Sequence, residues 1–182
     1  TSHQEQENAN KYIDNSKMHI VIFPGGNWAP KLWSSKNYNF LMRSILNNFR
    51  KTKFILVGSL NEKKKFINDL KINIKDENII DLFGASLTMT SAYMSKSNLF
   101  IGNDSGLMHL AVASKLRVVA LFGPTDDSIY GPYGGNNSII RTPETIRHFK
   151  SINLDHNISY MNSIKPEIVL KKCTTILNEI IN

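Results

Sequence analysis

Three charged side chains on separate stretches of this chain are of the types that grip a sugar nucleotide: Lys31, Glu62 and Asp104. A lysine supplies positive charge to a diphosphate, and a carboxylate accepts hydrogen bonds from sugar hydroxyls. Asp104 stands in Phe100-Ile-Gly-Asn-Asp-Ser-Gly-Leu-Met-His-Leu110, where a short apolar run ends in a polar, glycine-bearing turn and reopens as an amphipathic segment. That pattern predicts a strand running straight into a helix N-terminus. The first helical N–H groups have no intrahelical partner and the helix dipole puts partial positive charge there, so the Ser105 and Gly106 amides suit an anion. Gly106, with no Cβ, lets that anion approach the backbone. Asp104 at the lip is repelled by phosphate and suited to hydroxyls, so a nucleotide-sugar matches both halves. Taken alone, Asp or Ser before a helix is most often only a cap.

The elements that must position these groups alternate. His19 to Phe23 reads as a strand breaking at Pro24-Gly25-Gly26; the loop from Asn27 to Trp33 carries Lys31, and Tyr38, Leu41, Met42, Ile45 and Phe49 recur at helical spacing. Lys53 to Val57 is a second strand, ending at Gly58-Ser59, with Glu62 entering the helix behind it. Asn78 to Leu82 ends at Phe83-Gly84-Ala85-Ser86, Asn98 to Ile101 leads into the Asp104 turn, and Arg117 to Phe122 ends at Gly123-Pro124-Thr125. Short connections between strands and helices imply parallel pairing with crossovers on both faces. The expected fold class is α/β, a Rossmann-like open parallel sheet flanked by helices.

In such a sheet the loops leaving the carboxyl ends of the strands share one edge, and ligands sit where strand order reverses. Lys31, Glu62, Ser86, Asp104 and Thr125 all lie on such loops. Chemistry then divides the labour: Glu62 for two ribose hydroxyls, the Ser105-Gly106 amides for the diphosphate, Lys31 for its charge, and Asp104 for hydroxyls of the transferred sugar. His109, one turn into the helix, is expected to be hydrogen-bonded structurally, with support of the phosphate or donation to a leaving group as the alternatives. Asp126-Asp127 reads as a solvated loop pair, with weak Mg²⁺ binding as the alternative, and no metal-ligand cluster or Gly-x-Ser-x-Gly elbow is present. Asp126 to Asn137 is a long loop, a candidate lid or wall. Ser138 to Arg141 is a final short strand, Thr142 to Met161 is indistinct, and Ser163 to Ile180 is a closing helix with Ser163 as its cap.

Composition bounds the partners. A chain of 182 residues with 41% hydrophobic content suits one domain. The formal charge of +7 suits an anionic ligand or an acidic membrane surface, though Lys63-Lys64-Lys65 is the mark of a solvated helix face. No lysine and arginine run interleaved with aromatics marks a nucleic-acid groove. Cys173 is alone, which excludes an intramolecular disulfide, fits a reducing cytoplasm and leaves a packing role. No apolar run has the length of a membrane span, and the polar start is unlike a signal peptide. Residues 1–17 are expected to be a linker or disordered tail, and residues 18–182 the ligand-binding domain.

Pro24-Gly-Gly-Asn-Trp-Ala-Pro-Lys31-Leu-Trp33, Gly58 with Glu62, Gly84-Ala-Ser-Leu87, Asp104-Ser-Gly-Leu-Met-His-Leu-Ala111 and Phe122-Gly-Pro-Thr125 resemble, in that order, the C-terminal half of the bacterial lipopolysaccharide heptosyltransferase family. The resemblance runs from about residue 19 to the end. It implies the donor-binding half of an inverting GT-B glycosyltransferase that uses ADP-heptose without a metal and transfers heptose to the lipopolysaccharide inner core, at the cytoplasmic face of the inner membrane. It implies Lys31 and Asp104 as the residues at the diphosphate and heptose, Glu62 at ribose and Ala85 beside adenine, with Gly26, Asn27, Ser86, Ser105, Gly106, His109 and Thr125 around the donor. The base and most acceptor contacts belong to that family's N-terminal domain. Three features depart from the family: Asn27 replaces a small hydroxyl residue, Ala85 is smaller than the usual adenine neighbour, and the cysteines before the last helix are absent. A different nucleotide-sugar, or a nucleotide-binding module without chemistry, are the alternatives.

Overall fold

The computed structural model describes residues 2–181; Thr1 and Asn182 lie outside it. Strands β1 (Met18–Phe23), β2 (Thr52–Gly58), β3 (Ile79–Phe83), β4 (Leu99–Asn103), β5 (Val118–Phe122) and β6 (Ser138–Arg141) form one sheet in the order β3-β2-β1-β4-β5-β6. Its pairings are parallel, for example Ile20 with Phe54 on one side and with Leu99 on the other. The chain winds from β1 out to β3, returns to β4 beside β1, and winds outward again, so strand order reverses between β1 and β4. This is the open parallel sheet that the strand–helix alternation requires.

Helices cover both faces: α1 (His3–Tyr12), α2 (Ser35–Asn48), α3 (Leu60–Leu70), α4 (Leu87–Met94), α5 (Gly106–Ala113), the one-turn α6 (Asp127–Tyr130), α7 (Ile146–Ser151) and α8 (Pro166–Ile181). Side chains alternate across a strand. Ile20 and Ile22 therefore join the core under α2, α3 and α8, while Val21 and Phe23 join the core under α1, α4 and α5. Every residue of β4 and β5 is buried, which explains their unbroken apolar runs. Cys173 is buried on α8, and burial pushes its thiol up to about 12, as fits a packing residue.

The structure corrects several expectations. Residues 3–12 are helical, where a linker or disordered tail was expected. Ser2 and Glu5 form a capping box, and Ala9 and Ile13 are buried in the second core. Tyr93 Oη donates to Asn8 at 2.8 Å, so contact with α4 overrides the polar composition of α1. The closing helix starts at Pro166, whose missing N–H is harmless in a first turn, while Ser163 donates to Glu144 at 3.1 Å instead of capping. The indistinct stretch after Thr142 contains α7, capped by Thr145 and anchored by buried Phe149. Asp126 and Asp127 are more than a solvated pair: Asp126 caps α6 through Ser128, and Asp127 is ion-paired with Arg141.

Candidate functional site

A cleft of about 1010 Å³ opens at the carboxyl ends of the strands around the β1–β4 reversal. It is lined by Gly26, Asn27 and Lys31 after β1, Glu62 after β2, Ala85 after β3, and Asp104, Ser105, Gly106 and His109 after β4. Nine of the residues singled out from the sequence are thus brought together. Two are not: Ser86 and Thr125 are absent from the lining.

The loop after β1 carries Lys31 at the end of a short 3-10 turn, Ala29–Lys31. That turn is strapped from a distance. Tyr160 N–H donates to Pro30 O at 3.0 Å, Ser159 Oγ to Leu32 O at 2.6 Å, and the Trp33 indole to Ile164 O at 3.0 Å. So held, Lys31 Nζ lies 3.4 Å from Asp104 Oδ2, with side chains 14% and 9% exposed. The ammonium and carboxylate are therefore one enclosed pair, aligned at the mouth of α5, and not two independent contacts as the sequence suggested. Enclosure strengthens such a pair relative to a solvated one.

Glu62 combines two duties. Its Oε2 accepts from the Ser59 N–H at 2.7 Å, completing a capping box on α3, and from the Ser59 hydroxyl at 2.9 Å. Its Oε1 accepts from the Gly26 N–H at 2.7 Å and so joins the β2 loop to the β1 loop. A Cβ on Gly25 would collide with this carboxylate, so close approach explains that glycine. One ligand hydroxyl can use the remaining lone pair of Oε1, and a second can take the place of the Ser59 hydroxyl on Oε2.

At the start of α5, Ser105 Oγ accepts from the Met108 N–H at 3.3 Å. Ser105 is the cap; Asp104 is not, and its carboxylate is left for the cleft. A Cβ on Gly106 would meet no protein atom within 4 Å, so internal packing does not account for glycine at this cleft-lining position. His109 is exposed, and no hydrogen bond to its ring is found among the described residues, against the structural role expected for it. The reason is helical phase: Met108 and Ala111 occupy the buried face of α5, which turns His109 to the cleft.

Ser86 caps α4 through the Met89 N–H at 3.0 Å and donates to Glu5 of α1 at 3.1 Å. Thr125 lies beyond β5. Its Oγ1 is buried without a hydrogen-bond partner, and its loop is tied down by Arg141, which donates to Gly123 O at 2.8 Å. Among the described residues, no group of three or more His, Cys, Asp or Glu side chains converges.

Sequence reading passed over Asn103, which is fully buried and makes four hydrogen bonds. The available signal was its type: a carboxamide closing an otherwise apolar strand needs partners. It also passed over Leu60 and Leu87, which line the cleft yet are 60% and 65% exposed.

An open parallel sheet with loop-borne polar groups and a helix N-terminus at its reversal point belongs to the doubly wound class whose members take anionic ligands there. Within that class the family is specific: the model of glycosyltransferase family 9 (heptosyltransferase) matches residues 1–156, and the chain belongs to that family. Lipooligosaccharide heptosyltransferase 2 of Campylobacter jejuni is 25% identical over 172 residues, covering 91% of this chain and 53% of that protein. The chain spans about half the length of the curated relatives it matches. Among solved structures, a family 9 glycosyl transferase from Veillonella parvula superposes with a TM-score of 0.80 at 22% identity, covering 98% of this chain and 53% of the other. The E. coli ADP-heptose lipopolysaccharide heptosyltransferase II gives 0.78 at 21% identity, covering 100% and 54%. These likenesses bear out the α/β fold class, with GT-B heptosyltransferases as structural neighbours.

Proposed function

We propose that this chain is the donor-binding part of an inverting glycosyltransferase that holds ADP-heptose, without a metal, for transfer of heptose to the lipopolysaccharide inner core. The observation that carries the reading is the enclosed Lys31–Asp104 pair at the mouth of α5, with Glu62 on the same cleft. A nucleotide diphosphate-sugar needs positive charge at its diphosphate and acceptors at its sugars, and these groups are of those kinds. The names of similar proteins, a lipooligosaccharide heptosyltransferase and an ADP-heptose heptosyltransferase, support the choice of donor and acceptor.

In this reading Glu62 takes ribose, the first amides of α5 and Lys31 take the diphosphate, Asp104 orients the heptose, and Ala85 borders the base. An acceptor hydroxyl attacks the anomeric carbon as the bond to the diphosphate oxygen breaks. The hydroxyl proton passes to a base on the acceptor side, in a further domain of the same enzyme, and ADP departs with its growing charge stabilised by Lys31 and the α5 N–H groups. No described helix is long and apolar enough to cross a membrane. A lipid-borne acceptor places the reaction at the inner face of the inner membrane.

Calorimetric titration with ADP, UDP and their sugars tests the proposal. ADP-selective binding that is lost in Asp104→Ala and in Glu62→Ala is the expected result. Indifference to every nucleotide overturns it in favour of a module without chemistry, and selectivity for UDP reassigns the donor.

A further inference from the structure

The carboxamide of Asn103 uses its whole hydrogen-bonding capacity inside the protein. Its Oδ1 accepts from the Trp33 N–H at 3.1 Å and from Tyr38 Oη at 3.0 Å. Its Nδ2 donates to Pro24 O at 3.1 Å and to Gly25 O at 3.0 Å. Two acceptor lone pairs and two donor hydrogens are thereby filled, a set that neither aspartate, with no donor, nor leucine, with neither, reproduces. Asn103 is 0% exposed, so it contacts no ligand itself. Tyr38 remains a donor, because burial pushes its phenol well above the ordinary range.

The four partners lie on or beside the loop that carries the ligand-facing groups. Trp33 is two residues from Lys31. Pro24 and Gly25 precede Gly26, whose N–H holds Glu62 at 2.7 Å, and Asn103 itself precedes Asp104. One buried amide therefore fixes the start of the Lys31 loop, its far end, and the strand end from which Asp104 projects.

We infer that Asn103 is the positioning residue of the cleft: it sets the separation of Lys31 from Asp104 and the placement of Glu62 by clamping both ends of the β1–α2 loop onto the end of β4. The alternative is that Asn103 is only a satisfied polar group in the core, in which case its loss lowers stability uniformly. The two differ in what they do to Lys31. A residue that acts through Lys31 makes the two substitutions non-additive; an independent structural residue leaves them additive.

The inference rests on the nucleotide reading for its ligand measurement but not for its second readout, amide exchange in the free chain. The parent, Asn103→Leu, Lys31→Ala and the double variant are titrated with ADP where circular dichroism shows all of them folded. The expected result is a Kd raised about tenfold or more by Asn103→Leu. Lys31→Ala weakens ADP binding in the parent but changes it by less than about twofold in the Asn103→Leu chain. Amide exchange accelerates over residues 24–33 while β2 keeps its protection. ADP affinity within about threefold of the parent in Asn103→Leu, a Lys31→Ala effect that persists in full, or unchanged exchange over residues 24–33 overturns the inference. If Asn103→Leu does not fold, Tyr38→Phe takes its place, removing one bond of four: a Kd raised about threefold with faster exchange over residues 24–33 is the expected result, and a Kd equal to the parent's or unchanged exchange there overturns the inference. A parent that binds no ADP sinks the nucleotide reading alone, and exchange over residues 24–33 then decides the positioning role.

Discussion

At the end of β4, Asp104 meets Lys31 from the loop after β1; at the end of β5, one strand over, Thr125 lies outside the cleft lining and its loop is tied to Arg141. Both loops leave the same rim of the same sheet. The difference lies in the elements they lead into. After β1 and β4 the chain enters α2 and α5, which pack on opposite faces, so the two loops part and leave a gap between neighbouring strands. After β5 the chain makes only the single turn of α6 before joining the edge strand β6, and Arg141 on β6 pins it down. A shared rim is therefore not enough to make a site. Loops must also diverge at a reversal of strand order, as they do between β1 and β4.

Substitutions on the two sides of β4 sharpen this contrast. Lys31→Ala removes a charge-assisted donor worth about 1.5–3 kcal/mol, so ADP affinity is expected to fall roughly tenfold to a hundredfold by calorimetry. A loss below threefold would mean that the gap between β1 and β4 is not where the diphosphate sits. Gly106→Val places a side chain in open space at the α5 start, so ADP affinity is expected to fall by about tenfold while stability rises by less than about 0.5 kcal/mol from helix propensity. Equal ADP affinity in Gly106→Val would place the ligand away from α5.

A smaller effect is expected at the α1 contact. Thr88 first, then the Ser2 backbone, hold the Glu5 carboxyl down to about 2 from an ordinary value of 4.5. A pKa lowered in the folded chain means that the anchoring is complete above pH 4.5 and is lost as pH falls from there through about 2. Amide exchange over α1 should accelerate across that window, and Glu5→Gln should flatten the dependence. Thr125→Val has the smallest expected effect: ADP affinity within about twofold, and stability within about 0.5 kcal/mol or slightly raised, because it removes a buried hydroxyl that has no partner. A tenfold loss of ADP affinity in Thr125→Val would erase the distinction between the two sides.

The strands were legible because buried parallel strands are continuous apolar runs, and glycine marks where each one ends. Lys31, Glu62 and Asp104 were legible for the same reason, since topology alone sends strand-end loops to one rim. Other features depend on contacts that sequence order hides. Asn103 works through residues 65 to 79 positions away, and nothing local distinguishes it from a strand-end polar residue. α1 reads as a polar tail because only Ala9 and Ile13 pack against the core, although Ser2-His-Gln-Glu5 carries the spacing of a capping box. The same spacing in Ser59-Leu-Asn-Glu62 shows the converse: a residue singled out as a cleft-facing carboxylate also caps the start of a helix.

The carboxylate beside Lys31 gives the cleft a resident counter-ion. An incoming anion must compete with Asp104 for the ammonium, and a lone inorganic phosphate has little else to offer in exchange. A diphosphate carrying a sugar brings hydroxyls that occupy the displaced carboxylate as its oxygens reach the ammonium. On the proposed nucleotide-sugar reading the pair is a filter, passing ligands that present both chemistries at once and turning away those that present charge alone.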